Sequence, residues 1–272
     1  MNRTHGQWLT VRGTELYVDV RASGEGPPLL FCNGIGANLE LLDPFVDALG
    51  AQQGRRIPTI RFDVPGTGGS PASLLPRRMP GLARLVRDLV EVLDYDLIDV
   101  LGLSWGGALA QEFAYRHPEL ARRVVLCATS MGMAMVPARP AVLFTLASPM
   151  RYFRPSRMAE TGARIYGGGF ADDPELVARF ASAARAPNPL GYYWQIAAGA
   201  GWTSAHYLPR LRQQVLLVAG DDDPIIPLVN ARIMACLLRR VTVHVVRGGG
   251  HLALLTHVDE LVPLVHQFLS KN

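Results

Sequence analysis

Short runs of β-branched and apolar residues recur along the chain, and between them the apolar positions take a helical spacing. WLTVRG (8–13) and ELYVDVRA (15–22) read as an antiparallel pair that turns near Gly13-Thr14. PLLFCN (28–33), PTIRFD (58–63), LIDVLG (97–102), RVVLCAT (123–129), QVLLVAG (214–220) and VTVHVV (241–246) are mostly apolar. Such runs suit strands of a parallel sheet covered on both faces. Helical patterns occupy LELLDPFVDALG (39–50), LARLVRDLVEVLD (82–94), ALAQEFAYRH (108–117), LVNARIMACLL (228–238) and DELVPLVHQFL (259–269). This alternation predicts a doubly wound α/β fold, a mostly parallel eight-stranded sheet flanked by helices.

The alternation breaks once, between RVVLCAT and QVLLVAG. Residues 130–210 contain no convincing strand but carry Met131, Met133, Met135, Phe144, Met150, Tyr152, Phe153, Tyr166, Phe170, Tyr192, Tyr193, Trp194 and Trp202. The stretch reads as a helical lid inserted into a core domain made of 1–129 and 211–272, because the sheet resumes after it.

Composition narrows the class. Of 272 residues, 49% are hydrophobic and 18% charged, which is too apolar for disorder. The first twelve residues lack the unbroken apolar core of a signal peptide, and no run of about 18 apolar residues predicts a membrane span. Cys32, Cys127 and Cys236 sit in apolar surroundings and are odd in number, so three buried thiols in a cytoplasmic protein are expected. The net charge is +4, and Lys271 is the one lysine among 27 basic residues. The arginines are scattered as singles and pairs rather than in a stripe interleaved with aromatics, which argues against nucleic acid.

The candidate chemistry centres on GLSWG (102–106), which fits G-x-S-x-G. In that motif the serine stands on a sharp strand-to-helix turn that lifts its hydroxyl out of the sheet. Both the strand and the helix are predicted here, so Ser104 is the candidate nucleophile. A serine needs a base and an orienting acid, which in this arrangement follow it in the order acid, then histidine. GGGH (248–251) places His251 on a glycine loop after the last strand. His244 falls within a strand and His117 ends a helix; His257 and His266 belong to the final helix, His5 precedes the sheet and His206 lies in the lid. AGDDDPIIP (219–227) offers Asp221, Asp222 and Asp223 as the acid.

An oxyanion needs two backbone donors. The Trp105 amide directly follows the nucleophile, and the Ile35 amide belongs to the loop Asn33-Gly34-Ile35-Gly36; the Trp105 ring is expected beside the acyl site. GTGGS (66–70) lacks the lysine of a phosphate loop, the glycines at 102, 106 and 107 make no dinucleotide fingerprint, and no histidine–carboxylate cluster accompanies the aspartates. A serine hydrolase without cofactor or metal is the expectation.

These motifs resemble the α/β-hydrolase superfamily over nearly the whole chain, and more narrowly the intracellular poly(3-hydroxyalkanoate) depolymerases that act on medium-chain-length polyesters. The resemblance is carried by FCNGIGANLELL (31–42), RFDVPGTGGS (61–70), GLSWGGALAQEFA (102–114), ASPMRYFRPS (147–156), IYGGGF (165–170), GYYWQ (191–195), GWTS (201–204) and AGDDDPIIPL (219–228). The superfamily pattern G-x-x-D-x-x-x-P falls on Gly220, Asp223 and Pro227, which implies Asp223 as the acid. Asn33 stands where many superfamily members carry histidine, and the narrower family shares the asparagine. The resemblance implies ester hydrolysis of a stored polyester at cytoplasmic granules through an acyl-enzyme on Ser104. The alternative is a general carboxylesterase or lactonase acting on small soluble esters. Methionines and aromatics adapt to and bury alkyl chains, so Asn33, Met131, Tyr192, Trp194 and Trp202 are expected around an apolar tunnel between lid and elbow.

Overall fold

The computed structural model describes residues 6–147, 149–152, 162, 165–170 and 172–271. His5, Phe153 and parts of the ASPMRYFRPS block lie outside them. Eight strands form one sheet: β1 (Gln7–Val11), β2 (Thr14–Arg21), β3 (Leu29–Cys32), β4 (Thr59–Phe62), β5 (Ile98–Leu103), β6 (Ala121–Cys127), β7 (Gln214–Gly220) and β8 (Val241–Val246). Their order is β1-β2-β4-β3-β5-β6-β7-β8; β1, β2 and β4 pair antiparallel and every other pairing is parallel.

The two-residue period of a strand divides the inner strands between two cores. Leu29, Phe31, Leu101, Leu103, Val125, Cys127, Leu216 and Val218 face one layer. Leu30, Cys32, Val100, Val124, Leu126, Val215 and Leu217 face the other. On the first face lie α1 (Asp43–Ala51) and the last helix, α9 (Val258–Ser270), preceded by the single turn α8 (Ala253–Thr256). On the second lie α2 (Met79–Val92), α3 (Trp105–Arg116) and α7 (Val229–Leu237). β8 departs from the doubly buried expectation: it is the sheet edge, where Val243 and Val245 are exposed. The 39–50 pattern also divides, into a 3-10 turn at Leu39–Leu42 and α1, because Pro44 lacks an N–H and fits the first turn of a helix. Cys236 is exposed on α7 rather than buried; Cys32 and Cys127 are buried, and burial pushes both thiols up from their ordinary pKa.

Between β6 and β7 the described residues form α4 (Pro140–Leu146), α5 (Pro174–Ala183) and α6 (Pro189–Gly199), with 3-10 turns and one isolated bridge, Gly132 to Thr203. Each of these helices begins at proline. The side chains of Asp173 and Asn188 cap α5 and α6 by accepting from the Leu176 and Leu190 amides, both at 2.9 Å. The segment shares both sheet cores: Tyr166, Phe170 and Phe180 join the first, Met131, Trp202 and Tyr207 the second. No helix among the described residues is long and apolar enough to cross a membrane.

Candidate active site

Ser104 joins β5 to α3 with φ 54° and ψ −118°, a conformation that is strained for a residue with a side chain. The surroundings hold it there. Its N–H donates to the Cys127 carbonyl at 2.9 Å, and its carbonyl accepts from the Thr129 hydroxyl at 2.7 Å. Glycine is required two residues on, since a Cβ on Gly106 would overlap the Cys32 carbonyl. The turn thus passes against the end of β3 at a distance no other residue permits.

His251 reaches Ser104 from the loop after β8. Its Nε2 lies 2.9 Å from Ser104 Oγ, and its Nδ1 lies 2.8 Å from Asp223 Oδ2. Asp223 comes from the loop after β7, and its other oxygen accepts from the Ile225 and Ile226 amides at 2.8 and 2.9 Å. Both His251 and Asp223 are buried. A hydroxyl, an imidazole and a carboxylate in this linear order can raise the nucleophilicity of the serine and hold the imidazolium that forms. The neighbouring aspartates are spent on loops: Asp221 accepts from Gly248 N at 2.7 Å and Asp222 from Gly168 N at 2.8 Å.

The loop after β3 lies against the serine. A Cβ on Gly34 would sit 3.8 Å from the Ser104 Cβ, in ordinary contact. Ile35 and Ser104 line the same cavity. Trp105 opens α3, so its amide belongs to a first turn whose N–H groups have no carbonyl four residues back to bond. Asn33 spends its side chain on the loop itself, accepting from Gly34 N and donating to the Asn38 carbonyl, both at 2.8 Å. Beneath this loop Asp63 accepts from the Leu39 amide at 2.7 Å and the Gly69 amide at 2.8 Å. Burial pushes the Asp63 carboxyl up to about 7 against those two bonds.

A cavity lies beside Ser104 and His251. Its walls are Leu41 and Leu42, Ile225, Leu252 and Leu255, with Leu146, Tyr166 and Phe180 from the inserted segment. No group of three or more His, Cys, Asp or Glu placed to hold a metal ion occurs among the described residues.

Residues 27–258 match the family model described as the alpha/beta hydrolase fold. The chain belongs to the α/β-hydrolase family. This hydrolase is similar to a poly(3-hydroxyalkanoate) depolymerase of Ectopseudomonas oleovorans, 48% identical over 90% of this chain and 85% of the relative. A 2-hydroxy-6-oxononadienedioate/2-hydroxy-6-oxononatrienedioate hydrolase of Pseudomonas sp is 26% identical over 95% of this chain and 89% of its own. The solved enol-lactonase of Burkholderia xenovorans LB400 superposes with a TM-score of 0.83 at 21% identity, covering 97% of this chain and 100% of that one. At that identity the likeness is one of fold.

The inserted segment of the hydrolase meets the site through residues other than those expected. Of the five side chains predicted around the tunnel, Asn33 lines the cavity and the other four do not. Met131 is buried in the second core. Trp202 is buried there too, its indole donating to Glu112 at 2.8 Å; Glu112 also accepts from the Tyr207 hydroxyl at 2.8 Å. The Tyr192 hydroxyl donates to the Leu146 carbonyl at 2.6 Å, and the Trp194 indole to the Ser73 carbonyl at 3.1 Å. The Trp105 ring likewise turns away from the acyl site, packing on the second core with its N–H 2.9 Å from the Gln195 carbonyl. Each of these polar rims needs a partner on burial, and the partner fixed which way the ring faces. Gln195, Asp63 and Tyr166 carry site contacts that the motifs did not single out, although each lies inside a block quoted for the resemblance.

Proposed function

We propose that this hydrolase cleaves the ester bonds of a medium-chain-length poly(3-hydroxyalkanoate) through an acyl-enzyme on Ser104. Ser104 Oγ attacks the ester carbonyl while His251 Nε2 takes its proton. Asp223 keeps the imidazole oriented and stabilises its charge. The carbonyl oxygen, now negative, receives hydrogen bonds from the amides of Ile35 and Trp105. His251 returns the proton to the leaving hydroxyl of the shortened polymer. Water, deprotonated by the same imidazole, then releases the 3-hydroxyacyl group from Ser104.

The observation that carries this reading is the in-line Ser104–His251–Asp223 chain opening onto an apolar cavity. An alkyl side chain of the polymer fits walls of leucine, isoleucine and phenylalanine, where a polar acyl group would lose hydration without a partner. The polyester itself is taken from the similarity to the depolymerase, and action at cytoplasmic storage granules rests on that resemblance.

The test offers the purified protein granules of medium- and short-side-chain polyester beside soluble esters, with fluorophosphonate labelling of Ser104. Release of 3-hydroxyacids from the medium-side-chain granules, abolished by Ser104→Ala, is expected. Turnover of soluble esters alone overturns the polymer assignment, and no labelling at Ser104 overturns the acyl-enzyme.

A further inference from the structure

We propose that Gln195, on the inserted helix α6, is the positioning residue that sets the spacing of the two oxyanion donors. The inference rests on the reading of the Ile35 and Trp105 amides as those donors.

The two amides lie beyond the ends of two neighbouring strands. The β3–β5 ladder closes with Cys32 opposite Gly102, so neither Ile35 nor Trp105 is held by strand pairing. An oxygen bound between two donors needs both within a few tenths of an ångström of their working positions. A residue that grips both loops from outside the sheet would fix their spacing.

Gln195 does so with two different atoms. Its side-chain Oε1 accepts the Gly36 N–H at 2.7 Å, one peptide after Ile35. Its main-chain carbonyl accepts the Trp105 indole N–H at 2.9 Å. One residue thus grips the oxyanion loop through Gly36 and the elbow through Trp105. Gln195 is 2% exposed, so water does not compete for these bonds.

The helix that carries it is itself fixed. Gly191 packs against Gly66 so closely that a Cβ on either would overlap the other's backbone, and Asn188 N–H donates to the Gly66 carbonyl at 3.0 Å. Tyr192 and Trp194 anchor α6 to Leu146 and Ser73 through the bonds described above. Four positions of the block GYYWQ are thereby accounted for: a glycine for close approach, a tyrosine and a tryptophan as anchors, and a glutamine as the clamp. Tyr193 alone of the five is exposed. A glutamine that served only to fill space would not need both its side-chain and main-chain oxygens aimed at these two loops.

The experiment compares wild type with Gln195→Met, which keeps the length and removes the acceptor, on a soluble p-nitrophenyl ester. A loss of kcat of about 10- to 100-fold with KM changed less than about twofold is expected, since the loss falls on the transition state. Affinity for a boronic acid that forms a tetrahedral adduct with Ser104 should fall by the same factor as kcat/KM. Gln195→Glu, which keeps Oε1, should recover most of the affinity and kcat below neutral pH. Equal kcat and equal boronate affinity in wild type and Gln195→Met overturn the inference, as does a loss confined to KM. If Gln195→Met does not fold, Trp105→Phe decides, because it removes the indole N–H while keeping an aromatic ring and the Trp105 amide: a several-fold loss in kcat with a wild-type melt supports the clamp and an unchanged kcat overturns it. A wild type that neither turns over esters nor labels at Ser104 removes the acyl-enzyme reading and this inference with it. A wild type active on soluble esters but not on granules removes only the polymer assignment.

Discussion

The Tyr166 carbonyl accepts a 2.6 Å hydrogen bond from the main-chain amide of His251, and the two rings lie within 8° of parallel. The segment between β6 and β7 therefore grips His251 directly. The contact depends on Gly250, where a Cβ would overlap the Tyr166 and Gly167 carbonyls. Gly250→Ala should push the two loops apart and move His251 off Ser104. Kcat should fall by roughly 10- to 100-fold, the cost of about an ångström of misplacement. Steady-state kinetics beside a thermal melt check this; wild-type kcat in a folded variant contradicts it.

The three consecutive aspartates separate by what each touches. Asp223→Asn should cost up to about four orders of magnitude in kcat, because the amide no longer fixes the imidazole tautomer. Asp221→Asn and Asp222→Asn each weaken one loop hydrogen bond, worth about 1 kcal/mol, so melting temperature should move more than kcat. A crippled Asp221→Asn with a mild Asp223→Asn would reverse the assignment.

Asp63 makes stability depend on pH. Its carboxyl holds its proton to about 7 in the fold, against 3.8 for the free group, because burial outweighs the amides of Gly69 and Leu39; Glu40 adds to the rise and Arg185 opposes it. Between those values the unfolded chain binds fewer protons than the folded one. This contribution is complete below about pH 4 and is lost as pH rises through 7, by at most about 1.4 kcal/mol per unit. Asp63→Asn should lower stability at pH 4.5, since one of the two amides loses its acceptor, and flatten the decline from pH 4.5 to 7. Denaturant titrations across that range read both effects, and an unflattened decline argues against the buried carboxylic acid.

The cavity should grade acyl chains by length. Each methylene taken into it contributes about 0.8 kcal/mol, near fourfold in kcat/KM, until the walls are reached. Octanoyl p-nitrophenyl esters should outrun butyryl ones by up to about 200-fold on that basis, four methylenes at about fourfold each. Leu146→Trp adds bulk to the cavity wall and should cut the octanoyl rate more than the butyryl rate. An equal loss on both esters would place the alkyl chain elsewhere.

The core strands, the elbow with Ser104, and the loops carrying His251 and three aspartates were legible along the sequence because each is a local pattern, whereas the choice of Asp223 came from the resemblance. Alternating apolar residues mark a strand wherever it later pairs, and a serine between glycines at a strand-to-helix junction has few other conformations open to it. The pattern could not say which core an aromatic of the segment between β6 and β7 would enter. Trp202 and Trp194 read alike as large apolar surface, yet one indole met buried Glu112 and the other the Ser73 carbonyl, 90 and 121 residues away along the chain.

By itself, then, the sequence determined the order of strands and helices and the residues able to do chemistry, through propensities and spacings that act over a few residues. Only the tertiary structure decided what surrounds them: Leu146, Tyr166 and Phe180 around the cavity rather than methionine and tryptophan, and Gln195 between two loops. A buried hydrogen-bonding group takes whichever partner the packed fold brings within about 3 Å. For Gln195 Oε1 that partner lies 159 residues away in the chain, a separation no local pattern records.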